Sequence, residues 1–224
     1  MSTRKSAARR RTPAKSPQTQ SKPAPGRRRG PMLPIVGGIA IFGVLLVVFI
    51  ASRSSSSGGS YPYQVGAPGP GQPAPSVHLT ATDGSTFDLC AQRGKTVLLY
   101  FQEGVGCQPC WTQITDIQKQ RASFTAASVD EIVSITGDPI DALRQKVSDE
   151  HVSIPVLSDS GLPVSQSYHA NNYGMMGAGA DGHTFVLVGP DGKIRWRADY
   201  GGAPDYTMYV PVNRLLADLQ KGNA

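Results

Sequence analysis

From residue 77 onward the hydrophobic positions fall into short blocks whose period changes along the chain. Residues 96–101 (TVLLYF) and 131–136 (EIVSIT) are nearly unbroken apolar runs, the pattern of strands buried on both faces. Residues 77–79 and 154–157 are shorter strand candidates, and Asp83-Gly84 marks a turn. Between Trp111 and Phe124, apolar residues at Ile114, Ile117 and Phe124 make one helical face. Residues 139–151 open on Pro139, which suits a first helical turn, and place Ile140, Leu143 and Val147 on one stripe. Residues 162–168 read as a short helix. Residues 183–188 (HTFVLV) and 193–197 flank the Asp191-Gly192 turn and pair as a hairpin. Residues 210–221 close the chain as a helix with Val212, Leu215, Leu216 and Leu219 on one side. Strands alternating with helices predict a layered α/β domain, and the terminal hairpin makes its sheet mixed.

The N-terminal third has a different texture. Residues 33–51 carry no charge, and at a rise of about 1.5 Å per residue a helix of that length crosses a bilayer's hydrocarbon. Residues 1–32 are a basic, disordered tail and residues 52–76 a Ser/Gly-rich and then Pro-rich tether. The expected organisation is therefore tail 1–32, transmembrane helix 33–51, linker 52–76 and folded domain 77–224. The basic residues from Arg4 to Arg29 have no acidic companion, whereas only Arg53 follows the run closely. The positive-inside rule then places the N-terminus in the cytoplasm and the domain outside it. A cleaved signal peptide is the competing reading. The net charge of +6 resides in this tail, and the rest of the chain is mildly acidic. That excludes a nucleic-acid-binding fold surface. The tail instead makes the lipid bilayer a partner.

Cys107 and Cys110 follow the first buried run and open a helix. Free amides and the helix dipole stabilise a thiolate there, and the spacing lets the second sulfur close a disulfide. A static disulfide is the bland alternative. A structural zinc wants four ligands, and a four-cysteine pattern is absent. Cys90 makes the cysteine number odd and reads as a buried or half-buried free thiol. Glu103, four residues before Cys107, is either a proton relay or a plain loop residue.

The stretches GKTVLLYFQEGVGCQPCW and GHTFVLVGPDGKIRW resemble the redoxin branch of the thioredoxin superfamily, which holds AhpC/TSA-type peroxiredoxin-like and membrane-tethered thiol–disulfide proteins. The resemblance implies a thioredoxin-like fold, with a mixed central sheet and helices on both faces. It makes Cys107 the attacking cysteine and Cys110 the resolving one. It makes Lys95, Phe101 and Phe185 framework residues. The chain departs from the pattern in three places. Gln108-Pro109 stand between the cysteines, residues 102–106 lack the Pro and Thr or Ser of peroxidatic members, and His183-Thr184 replace the thioredoxin cis-proline. The stretch 181–184 (DGHT) also resembles that of Sco-type copper redoxins, which makes Cys107, Cys110 and His183 a candidate copper(I) site.

The first functional reading is an extracytoplasmic, membrane-anchored thiol–disulfide oxidoreductase acting on protein dithiols and disulfides, with no cofactor. The alternatives are a copper-binding redoxin and a thiol peroxidase. Tyr168, Tyr173, Met175, Met176, Tyr206, Met208 and Tyr209 either line a groove at the site or pack loops over the core.

Overall fold

The computed structural model describes residues 61–222, all within the compact unit Gly59–Ala224. Among them no helix is long and apolar enough to cross a membrane. The expected fold of a domain preceded by a transmembrane helix is corrected on that ground to a thioredoxin-like α/β domain. The segment 33–51 itself lies outside the described residues, as does the tail 1–32. The expected lipid-bilayer partner and the extracytoplasmic, single-pass placement are corrected on the same ground: no spanning helix among the described residues supports either.

The strands are β1 (His78–Ala81), β2 (Thr86–Asp88), β3 (Val97–Phe101), β4 (Glu131–Thr136), β5 (Val156–Ser158), β6 (Thr184–Val188) and β7 (Ile194–Asp199). The helices are α1 (Gln108–Lys119), α2 (Arg121–Ala126), α3 (Ile140–Asp149), α4 (Pro163–Ser167) and α5 (Val212–Gly222). Seven strands form one sheet in the order β2-β1-β5-β4-β3-β6-β7. The middle is parallel, with Val97 opposite Glu131 and Ser134 opposite Val156. β6 runs antiparallel to β3, with Phe101 opposite Thr184, and β7 returns from it as the expected hairpin.

All five residues of β3 are buried, because each face of this strand meets its own core. Leu98 and Tyr100 pack with Trp111, Ile114 and Ile117 of α1, Leu143 of α3 and Leu215 and Leu219 of α5. Val97, Leu99 and Phe101 point the other way, toward Leu89, Tyr168 and Ala170. The helical face read across 111–124 is split at Gln120, whose φ of −107° and ψ of 22° leave the helix, yet Phe124 of α2 stays in the same core as Ile117. β2 was not foreseen.

The stretch read as the end of a spacer touches the domain. Gln64 exchanges backbone hydrogen bonds with Asp199 at 3.1 and 2.9 Å, and Gly71 donates to Ile194 at 2.8 Å. Tyr63 packs edge-on against Trp196 and Tyr200. Residues 61–74 thereby cover the otherwise open edge of β7. Behind this edge, Arg197 and Asp199 form a fully buried ion pair at 2.9 Å. Arg197 also donates to the carbonyls of Tyr168 (2.8 Å) and Pro68 (3.2 Å). Asp199 accepts from the Thr184 hydroxyl (2.8 Å) and the Gly66 amide (2.7 Å).

Candidate active site

The chain leaves the carboxyl end of β3 through residues 102–106 and enters α1 at Cys107. Gln102 is buried, and its side-chain amide donates to Ser134 Oγ at 2.8 Å. Gly104 has φ +92°, and a Cβ on it would lie 1.7 Å from Asp138 Oδ2, so only glycine fits this corner. The same Asp138 oxygen accepts from the Val105 amide at 2.7 Å. Trp111 Nε1 donates to the Gly104 carbonyl at 3.0 Å, tying the loop to the helix it precedes.

Cys107 is the N-cap of α1, and Pro109 occupies the first turn, where its missing N–H costs nothing. Cys107 Sγ accepts from the Cys110 amide at 3.3 Å, the place a serine or threonine oxygen takes in an ordinary cap. Cys107 and Cys110 are joined as a disulfide across a Cα–Cα distance of 5.3 Å. Cys107 keeps 6% of its surface exposed and Cys110 none, so a reactant reaches the first sulfur and not the second. Met208 completes a small buried cluster with the two cysteines.

Beneath the pair lies Tyr100. Its hydroxyl is 3.4 Å from the Cys110 carbonyl and 3.1 Å from His183 Nδ1, and both side chains are buried. Burial pushes His183 down to about 3, so the imidazole is neutral. Burial first, and then the Glu103 charge, hold the Tyr100 phenol well above its ordinary range. The ordinary state of this pair is thus an uncharged hydroxyl–imidazole contact, with His183 Nε2 left without a partner. Asp181, two residues before His183, is also buried, with both oxygens unpartnered. Burial lifts it to about 8, and the nearby Asp159 and Asp138 add to the rise.

The structure sorts the expected site residues. Cys107 and Cys110 come together. His183 meets the Tyr100 hydroxyl, which also stands near the Cys110 carbonyl, and among the described residues no three His, Cys, Asp or Glu side chains are grouped to hold a metal. With Cys107 and Cys110 joined as a disulfide, the residues of the candidate copper(I) set are not grouped as a metal site in this state. Glu103 is buried, and its Oε1 accepts the amides of Met175 and Met176 (3.2 Å for the latter). It fastens a loop whose methionine side chains stand exposed beside the site. Of the residues read as a groove, Met208 clusters with the cysteines, while Tyr168 is buried on the far face and bonds the Pro75 carbonyl at 2.7 Å. Cys90, expected to be at least half-buried, is exposed and free in a 3-10 turn. Sequence reasoning missed Tyr100 as a site residue, because its position inside an apolar strand looks like framework alone.

Residues 70–197 match the AhpC/TSA family. The chain belongs to the AhpC/TSA family. Over 129 residues it is 31% identical to a Mycobacterium tuberculosis protein that carries the name peroxiredoxin, covering 56% of this chain and 81% of that one. Among solved structures it resembles AhpC of M. tuberculosis, with a TM-score of 0.57, 19% identity, and coverage of 73% of this chain and 100% of that one. It also resembles the peroxidoxin BcpB of the same organism, with a TM-score of 0.56, 17% identity, and coverage of 68% and 96%. At those identities the structures establish the fold. Family membership makes the chain a redox-active thiol enzyme of the AhpC/TSA type. It overturns the first reading, a membrane-anchored thiol–disulfide oxidoreductase, in favour of the peroxidase alternative.

Proposed function

We propose that this AhpC/TSA-family chain is a thiol peroxidase in which Cys107 attacks the peroxide and Cys110 resolves the product. The observation that carries the reading is the Cys107–Cys110 disulfide at the start of α1, with the exposed sulfur capping the helix and the buried one a turn inside. In the reduced enzyme the Cys110 amide and the helix N-terminus favour a thiolate on Cys107. That thiolate attacks one peroxide oxygen. The O–O bond breaks, an S–O bond forms, and the departing alkoxide or hydroxide takes a proton from solvent. Cys107 is then a sulfenic acid. The Cys110 sulfur attacks Cys107, an S–S bond replaces the S–O bond, and the hydroxyl leaves as water with the Cys110 proton. An external protein dithiol reduces the disulfide by exchange at the accessible Cys107 sulfur. Since both sulfurs belong to one helical turn, the disulfide closes without a distant residue having to approach.

The test is consumption of hydrogen peroxide and tert-butyl hydroperoxide with dithiothreitol as reductant. Wild-type protein should turn over. Cys107→Ser should abolish turnover, and Cys110→Ser, reduced beforehand and assayed after the dithiothreitol is removed, should give one turnover and a sulfenic acid trapped on Cys107 by dimedone. Consumption no faster than with dithiothreitol alone, or full activity in Cys107→Ser, refutes the proposal.

A further inference from the structure

The last turn of α3 is bound to the first turn of α1 at Gln108, the residue that follows Cys107. Lys146 Nζ donates to Gln108 Oε1 at 2.9 Å and to Glu150 Oε1 at 2.6 Å. Gln108 Nε2 donates to that same Glu150 oxygen at 3.0 Å, which closes a three-membered ring of polar contacts. The Lys146 ammonium also stands 5.7 Å from the ring centroid of Trp111, the residue after Cys110. One cation therefore touches the neighbour of each cysteine. The ammonium is partly shielded, with its side chain 21% exposed and that of Glu150 24% exposed.

The charges that surround Cys107 give this contact its meaning. β3 contributes Tyr100, and the loop before the helix contributes Glu103. The turn after β4 contributes Asp138, which holds the Val105 amide, and the start of β6 contributes His183. α1 itself carries Asp116, paired with Lys119 and Tyr209 two turns further along. α3 contributes Lys146 and Glu150, with His151 acting on Glu150 from the next position. Tyr100 and His183 are neutral, and the carboxylates of Glu103 and Asp138 oppose a thiolate. Among the described residues, Lys146 is the permanent cation that these elements bring to the cysteine pair. Glu150 holds it in place and also offsets its charge.

We infer that Lys146 and Glu150 are a matched pair of positioning residues that set the acidity of the Cys107 thiol through Gln108. This rests on the reading of Cys107 as the attacking thiol. Removing Lys146 leaves the Glu150 carboxylate unbalanced near Cys107 and makes the thiol less acidic. Removing Glu150 leaves the ammonium unbalanced and makes it more acidic. A charge held against the neighbours of both cysteines in partly screened surroundings is expected to shift the thiol by about half a pKa unit, a threefold change in thiolate below the pKa. A purely structural clamp behaves differently, because loosening it from either end moves the thiol the same way.

The experiment uses the full chain, reduced, at low ionic strength, where such fields are least screened. The rate of iodoacetamide alkylation is followed against pH, with peptide mass spectrometry separating Cys107 from Cys90 and Cys110. Lys146→Gln should raise the Cys107 pKa and Glu150→Gln should lower it. Lys146→Arg should restore the wild-type value, and both shifts should shrink in 1 M salt. Shifts of the same sign, or none, overturn the inference. Should Lys146→Gln fail to fold, Glu150→Gln decides alone, since only an unbalanced ammonium lowers the pKa. Peroxide is absent from this assay. If the shifts oppose each other but no peroxide is consumed, the clamp stands and the peroxidase reading falls.

Discussion

Replacing Asp199 by asparagine tests what joins the covering segment to the domain. In the wild type the Asp199 carboxylate faces Arg197 Nε at 2.9 Å, with no side-chain surface of either residue exposed. It further accepts from Arg197 Nη2, the Thr184 hydroxyl and the Gly66 amide. Asparagine keeps the shape and one acceptor but removes the charge. The Arg197 guanidinium, whose remaining partners are the Pro68 and Tyr168 carbonyls, is then a buried cation without a counter-ion. Breaking a buried pair from one side costs about 3–5 kcal/mol. Because the amide retains some hydrogen bonding, the lower end, about 3 kcal/mol, is expected. Against a domain stability of about 5–15 kcal/mol that is a large share. Urea unfolding followed by the fluorescence of Trp111 and Trp196, both buried, gives the difference directly. The double variant Arg197→Met/Asp199→Leu should be less unstable than Asp199→Asn, since no charge is left stranded. A loss below about 1 kcal/mol in Asp199→Asn would show that water reaches the guanidinium, and the account of this pair as a dry clasp would fail.

Asp181 gives a pH signature. Its folded value of about 8 lies above that of an unfolded aspartate, so the folded state holds a proton that the unfolded state has lost between about pH 4 and 8. Its contribution is fully present below the unfolded value and is lost as pH rises through that window. Relative to Asp181→Asn, the wild type should lose about 1.4 kcal/mol per pH unit there, measured by denaturation at several pH values; a difference that stays flat with pH contradicts the buried, neutral carboxyl. Gly104→Ala should cost at least about 1–3 kcal/mol, because a side chain at φ +92° meets Asp138, and it should slow Cys107 alkylation by displacing the loop that leads into the helix. An alanine variant with unchanged stability and unchanged alkylation would remove the steric argument for that corner.

Much of the architecture was legible because it is written in local periodicity. The run 96–101 has no polar interruption because both faces of β3 are covered, and that feature alone announces a central strand. The hairpin after β6 follows from Asp191-Gly192, where Gly192 takes φ +72°. β2 escaped notice because three residues with a single buried side chain carry no period. The edge-covering role of residues 61–74 escaped for a different reason. Composition reports a Pro- and Gly-rich stretch, whereas its backbone bonds go to residues more than a hundred positions later.

The candidate site divides along the same line. Cys107 and Cys110 are close in sequence, so their spacing and their place at a helix start were legible locally. The side chains that surround the pair come from afar. Glu103 meets Met175 and Met176 across 72 and 73 positions, Tyr100 meets His183 across 83, and Lys146 meets Gln108 across 38. The i,i+4 spacing of Lys146 and Glu150 reads as an ordinary surface ion pair until α3 is laid beside α1. Burial was equally out of reach, because it depends on what covers a residue rather than on the residue. Glu103 looked like a loop carboxylate and is enclosed, while Cys90 looked enclosed and is exposed. The sequence by itself determined that two cysteines stand one turn apart at a helix start. Packing of distant segments decided which of the two sulfurs is reachable and which charged side chains stand near them, because those properties depend on distance through space and on the exclusion of water.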